Sequence, residues 1–172
     1  MYPNLLFPSL FFITSNVIAQ QIQNPVFFNE NNIWVDCILE NLTIDEKIGQ
    51  LFMVIAYSNK SKNHKKEISR LIKKHKIGGL MFLQGGPKRQ AKLTNYYQSI
   101  SKTPLMIALD AEWGISMRLD SALRFPWQMT IGATMDSALV YEMGEEIARQ
   151  CKLIGVNTVS YTHLTLPTIL LV

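Results

Sequence analysis

Three apolar runs of strand length, Leu51–Ala56, Ile77–Leu83 and Pro104–Leu109, punctuate the middle of the 172-residue chain. None alternates polar with apolar residues, so each reads as a strand buried on both faces, the mark of a parallel sheet. Amphipathic helix patterns separate them. From Asn63 to His75 the residues Ile68, Leu71 and Ile72 form one stripe, and from Pro87 to about Ser101 Leu93, Tyr96, Tyr97 and Ile100 form another. Strand alternating with helix is the pattern of an α/β fold. Pro87 suits the first position of its helix, after a turn at Gln84-Gly85-Gly86. Upstream, Trp34, Val35, Ile38 and Leu39 recur at helical spacing, and Thr43-x-x-Glu46 is a capping box that opens a second short helix. Downstream, Asp136 or Ser137 caps a helix to about Ile154 with Leu139, Met143, Ile147 and Cys151 on one stripe, and Gly155-Val156-Asn157 opens a fourth strand.

With 48% hydrophobic and 17% charged residues the chain can bury a core, which excludes a linker or a disordered tail. Cys37 and Cys151 supply neither a disulfide framework nor a cysteine-only zinc site. A net charge of +4 is ordinary for a soluble domain. The cations Lys60, Lys62, Lys65, Lys66, Arg70, Lys73, Lys74 and Lys76 fall on the outward face of the first inter-strand helix. They read as a solvated surface, not a nucleic-acid site.

Both ends of the chain differ from its middle. Residues 1–19 carry no charged side chain, contain the apolar run Leu10-Phe11-Phe12-Ile13, and finish on Val17-Ile18-Ala19 before the polar Gln20. That is the pattern of a signal peptide cleaved after Ala19, although no Lys or Arg opens it. Pro3, Pro8 and Asn16 leave it short of a membrane span, so the expectation is export to the periplasm or exterior without stable membrane insertion. From Val159 the chain reads Val-Ser-Tyr-Thr-His-Leu-Thr-Leu-Pro-Thr, which a transposase mosaic end followed by a sequencing adapter encodes in frame. Residues 158–172 are accordingly expected to be a non-native tail, and His163 within it carries no role.

Parallel sheets place ligand sites at the carboxyl ends of their strands, so the residues just after each run are the ones to weigh. Asp110 and Glu112 leave the third run directly. A carboxylate there can accept paired hydrogen bonds from vicinal sugar hydroxyls or bind a metal; its plainer use is to cap the next turn. Neighbours on one loop do not make the carboxylate pair of a glycosidase, which flanks a bond at about 5–9 Å on separated backbones. Arg118 can fold back toward Asp110 with a planar donor fork, or stand as a surface arginine. Gln84 to Arg89 lacks the phosphate-binding G-x-x-x-x-G-K-[ST] pattern, and Pro87 removes an N–H, so it reads as a turn lining a pocket. His64 and His75 sit among lysines and read as solvated. No metal-ligand spacing is present.

Taken together, Leu42 to Leu51 (Leu-Thr-Ile-Asp-Glu-Lys-Ile-Gly-Gln-Leu), Ile77 to Phe82, Ala108-Leu109-Asp110-Ala111-Glu112-Trp113-Gly114 with Met117-Arg118-Leu119, Phe125-Pro126 and Ile131-Gly132-Ala133 resemble the N-terminal domain of family 3 glycoside hydrolases. The likeness spans about Trp34 to Asn157 and lies nearest the bacterial β-N-acetylhexosaminidase branch. The family's D-x-E-G-G here carries Trp113 in place of its first glycine. The resemblance implies that residues 20–157 are the N-terminal fragment of a (β/α)8 TIM barrel, with its first three βα units. It implies that Asp110 and Arg118 bind the terminal sugar, with Glu112, Trp113 and Gln84 as possible pocket lining. The nucleophilic aspartate and the acid/base histidine are then expected beyond Asn157, no cofactor or metal is implied, and the partner is a carbohydrate. A non-catalytic α/β sugar-binding protein of the periplasm is the alternative.

Overall fold

β1 (Met53–Tyr57), β2 (Gly79–Gln84), β3 (Met106–Asp110) and β4 (Thr158–Ser160) form one parallel sheet in the order β1-β2-β3-β4. The computed structural model describes residues 32–160; the expected leader over residues 1–19 and residues 161–172 of the expected tail lie outside the described residues, while the first three residues of that tail, Thr158–Ser160, form β4. Residues 34–160 belong to one compact unit. α1 (Ile33–Glu40) and α2 (Ile44–Gln50) precede the sheet, and α2 opens on the expected capping box between Thr43 and Glu46. α3 (Lys62–Arg70) joins β1 to β2 and ends in a π-helical turn at Leu71–His75. α4 (Pro87–Ile100) joins β2 to β3 with Pro87 in its first turn. A 3₁₀ turn (Ile115–Met117), α5 (Gln128–Gly132) and α6 (Ser137–Leu153) lie between β3 and β4. Each connection returns to the next strand in the same direction, the α/β layout the sequence implies. Over the described residues the sheet is open, with β1 and β4 at its edges.

Strand alternation divides the side chains into two sets with different surroundings. Ala56, Leu80, Phe82, Ile107 and Leu109 are buried with Ile68, Ile72, Tyr97, Ile147, Cys151 and Ile154 in one core. The opposite face is not covered in the same way: Met53, Ile55 and Met106 are exposed, Ile55 by 47%. The expectation of strands buried on both faces is therefore corrected for β1 and for the start of β3. Only the helix layer is in place over these residues, and a run apolar on both faces still exposes whichever face lacks a cover.

Two helix stripes also differ from expectation. On α4 the buried residues are Gln90, Thr94 and Tyr97, while Leu93, Tyr96 and Ile100 are half-buried. On α6 Ile147 and Cys151 are buried as expected, but Leu139 near the amino end is exposed. His64 is half-buried, not solvated as expected. The Tyr57 N–H at the end of β1 donates to its Nε2 at 3.2 Å, and its ring meets the Tyr57 ring edge-on.

Short hydrogen bonds tie the carboxyl ends of the strands together. The Ser58 N–H donates to the Gln84 carbonyl at 2.9 Å, and Ser58 Oγ accepts from the Gly86 N–H at 3.1 Å. The Gly85 carbonyl accepts from the Asp120 N–H at 2.7 Å, next to a bridge between Gly85 and Leu119. Arg89 completes the tie with an ion pair to Asp120. Gly85 has φ +141°, and a Cβ there would stand 1.7 Å from Ser58 Oγ.

Gly85→Ala adds backbone strain to a steric clash and is expected to lower stability in chemical denaturation by about 1–3 kcal/mol. Gly144→Ala, with open space around an exposed position of α6, is expected to raise it by up to about 1 kcal/mol. Equal effects of the two would contradict the packing described. For His64, burial and then the nearby Lys60 lower its pKa below 6.5, and the Tyr57 N–H needs an unprotonated Nε2. The unfolded chain then binds the proton first as pH falls, so this contribution is full above about 6.5 and is lost as pH falls from there through the lowered folded value. Thermal midpoints compared between pH 8 and 5.5 should fall more steeply for the wild type than for His64→Ala; parallel curves would refute the assignment.

Candidate functional site

Asp110 is the last residue of β3 and stands at the carboxyl edge of the sheet, opposite Ser160 of β4. It is 8% exposed, and a charge so placed needs a partner. Arg118 provides it: Nη2 donates to Asp110 Oδ2 at 2.5 Å and Nε donates to the same oxygen at 3.2 Å. The two residues are thus brought together as the sequence suggests, through a chain reversal built locally. Gly114, with φ +88°, turns the backbone, and the 3₁₀ turn Ile115–Met117 delivers Arg118 beside the strand it left. Leu119 and Asp120 then lock onto Gly85, so Arg118 is held from both sides.

Because both Arg118 donors converge on Oδ2, Oδ1 is not engaged by the guanidinium. An anchored carboxylate with an oxygen to spare accepts hydrogen bonds from hydroxyls, and the half-exposed arginine retains N–H groups for the same purpose. The pair therefore offers acceptor and donor within one small area, the complement of a polyhydroxyl ring.

The remaining expected residues take different places. Trp113 is half-buried and packs against Trp127, with ring centroids 6.0 Å apart and planes tilted by 50°. Gln128 donates from its side chain to the Glu112 carbonyl, which joins the start of α5 to the loop after β3. Glu112 is half-buried one residue beyond Ala111. Gln84 is exposed at the end of β2, where its carbonyl is used by Ser58. Sequence alone does not single out Ser58, Asp120 or Trp127 as site residues. Trp127 has a signal in the Phe125-Pro126-Trp127 turn, whereas the part of Ser58 follows from a backbone approach with no residue pattern of its own.

A cavity of about 630 Å³ lies elsewhere. Ile48, Phe52, Leu71 and Ile77 line it, and Phe52 and Ile77 precede β1 and β2, so it sits at the amino ends of the strands, away from Asp110. No group of three or more His, Cys, Asp or Glu side chains able to hold a metal ion occurs among the described residues, and none of their helices is long and apolar enough to cross a membrane.

Comparison with known proteins identifies the family and the fold. A family model described as glycosyl hydrolase family 3 N terminal domain matches residues 43–160. A beta-N-acetylglucosaminidase/beta-glucosidase of Cellulomonas fimi is 27% identical over 124 residues, covering 72% of this chain and 21% of that protein. Among solved structures, a beta-glucoside phosphorylase, BglX, bound to 2FGlc superposes with a TM-score of 0.63 at 27% identity, over 78% of this chain and 24% of its own. An exo-1,3/1,4-beta-glucanase from a Pseudoalteromonas species shares the fold, with a TM-score of 0.56 at 18% identity over 73% of this chain and 17% of its own. The chain thus spans about a fifth to a quarter of the length of the first two relatives. With residues 43–160 matched by its model, the chain belongs to glycosyl hydrolase family 3 through that family's N-terminal domain.

Proposed function

We propose that this chain is the sugar-gripping part of an exo-acting, retaining β-glycosidase that removes terminal β-linked N-acetylglucosamine or a related sugar. The observation that carries the reading is the Asp110–Arg118 pair at the carboxyl end of β3, with Oδ2 held and Oδ1 left for a hydroxyl. In this reading Asp110 and Arg118 hold hydroxyls of the non-reducing sugar, and Trp113 and Glu112 border it. The relative described as a beta-N-acetylglucosaminidase/beta-glucosidase supports the class of sugar. The family resemblance assigns bond cleavage to an aspartate nucleophile and a histidine acid/base in sequence beyond Asn157, acting through a covalent glycosyl-enzyme that water releases. Residues up to Asn157 are then inactive alone and orient the ring for groups supplied elsewhere. Export guided by residues 1–19 would bring the enzyme to glycans outside the cytoplasm.

A second reading has its own support, since the BglX neighbours are described as beta-glucoside phosphorylases. There the same grip holds the sugar while phosphate replaces water as acceptor.

The test is kinetic, on the full-length protein carrying this chain. With a chromogenic N-acetylglucosaminide and a chromogenic glucoside, Asp110→Asn is expected to lower kcat/KM at least about tenfold, the loss of about 1.4 kcal/mol of a charge-assisted contact. Arg118→Ala should lose comparably, and the double variant less than the product of the two, because both grip one ring. Thermal midpoints measured in parallel separate loss of grip from loss of fold. Near-wild-type kinetics for Asp110→Asn would reduce it to a turn cap. Assays with and without phosphate decide between the readings: formation of a sugar phosphate only when phosphate is present would favour the second.

A further inference from the structure

Charge is distributed very unevenly along the chain. Between residues 51 and 109 stand twelve of its 17 Lys and Arg, against Glu67 alone of its 13 Asp and Glu. The fold gathers these cations from two elements. Lys62, Lys65, Lys66, Arg70 and Lys73, from α3 and the π turn, surround a hollow of about 480 Å³ with Tyr96 of α4. A second hollow of about 280 Å³ shares Lys62 and Lys65 and extends the lining to Lys60, Lys92 and Arg89, the last of them paired with Asp120. The two therefore adjoin, and neither is lined by a carboxylate. Glu67 points elsewhere, toward His64 Nδ1 at 3.8 Å.

Two lysines of this face are held in place. Lys65 Nζ stands 3.5 Å from the centre of the Tyr96 ring, and Lys60 Nζ stands 3.7 Å from that of Tyr57. A solvated helix face needs neither a concave shape nor fixed cations, and concentrating like charge in a hollow raises the energy of the unbound state unless an anion relieves it.

We propose that this basic groove binds a linear polyanion, an acidic polysaccharide, at a place separate from the Asp110–Arg118 site. Charge complementarity selects an anion with repeated groups, since the cations follow α3 and its π turn from Lys62 to Lys73. The surroundings select the polymer. Unstacked bases need open aromatic faces, and Tyr57 and Tyr96 each carry a lysine over the ring. Insertion into a lipid surface needs exposed apolar side chains, and the half-buried Leu93 is the only aliphatic residue lining the two hollows. Carboxylated sugars ask only for spaced cations in a channel.

The experiment measures binding of fluorescently labelled oligogalacturonate to the full-length protein at 50 and 200 mM NaCl. Binding at low salt should weaken about tenfold or more at high salt, as several released counterions require. Replacing Lys62, Lys66, Arg70 and Lys73 together by Gln should weaken it at least about tenfold, with the thermal midpoint and glycosidase kinetics unchanged. Replacing Lys47, Lys88, Arg124 and Lys152 by Gln, the same number of charges outside the groove, should leave it within about twofold. Equal losses in both variants would reduce the effect to net charge and overturn the proposal. So would no binding at 50 mM, or tighter capture of a single-stranded oligonucleotide or of phosphatidylglycerol vesicles by the same four cations.

Discussion

The contact of Gly85 with Leu119 and Asp120 is the constraint on which the geometry of the candidate site depends. Asp110 reaches its place merely by ending β3, but Arg118 lies on a loop that could lead anywhere. The Asp120 N–H on the Gly85 carbonyl and the Arg89–Asp120 ion pair hold that loop down, and Ser58 holds Gly86 from the other side. A buried carboxylate is tolerated because the guanidinium is delivered to it, and the delivery rests on a backbone hydrogen bond reinforced by the side chains of Arg89, Asp120 and Ser58. A glycine is needed where the loops meet, since the positive φ and the approach of Ser58 both exclude a side chain.

Much of this is legible in the residues. The apolar runs with amphipathic spacers imply a parallel sheet, because only strands covered by helices lose their polar alternation. Asp110 stands out because it follows such a run directly. Its partnership with Arg118 is an even choice on spacing alone, and motif context decides it. What escapes a reading of the sequence has physical causes. The open face of β1 looks the same in sequence as a covered one, because an apolar residue records the environment it needs and not whether that cover is present. Gln90 and Thr94 displace leucine from the buried face of α4 because a helix facing both a sheet and a neighbour packs on more than one stripe. His64 reads as solvated among lysines, yet the end of β1 leaves an N–H that its ring accepts.

Opposite properties are divided between the sheet's carboxyl edge and the face of α3. The edge carries a neutralised pair, suited to one ring with several hydroxyls. The face carries lysines and arginines with no carboxylate lining the hollows between them, suited to a chain of charge. An enzyme working on terminal sugars gains little from a basic surface in catalysis itself, whereas retention on an anionic matrix raises its local concentration on substrate. The two features therefore need not share a ligand.

The central claim is that Asp110 and Arg118 grip one sugar together, and the most direct measurement is a crystal structure of the full-length protein with N-acetylglucosamine bound. The account predicts a ring hydroxyl within hydrogen-bond distance of Asp110 Oδ1 while Arg118 stays on Oδ2. A sugar seated in the cavity at the amino ends of the strands, or bound with Asp110 untouched, would contradict it.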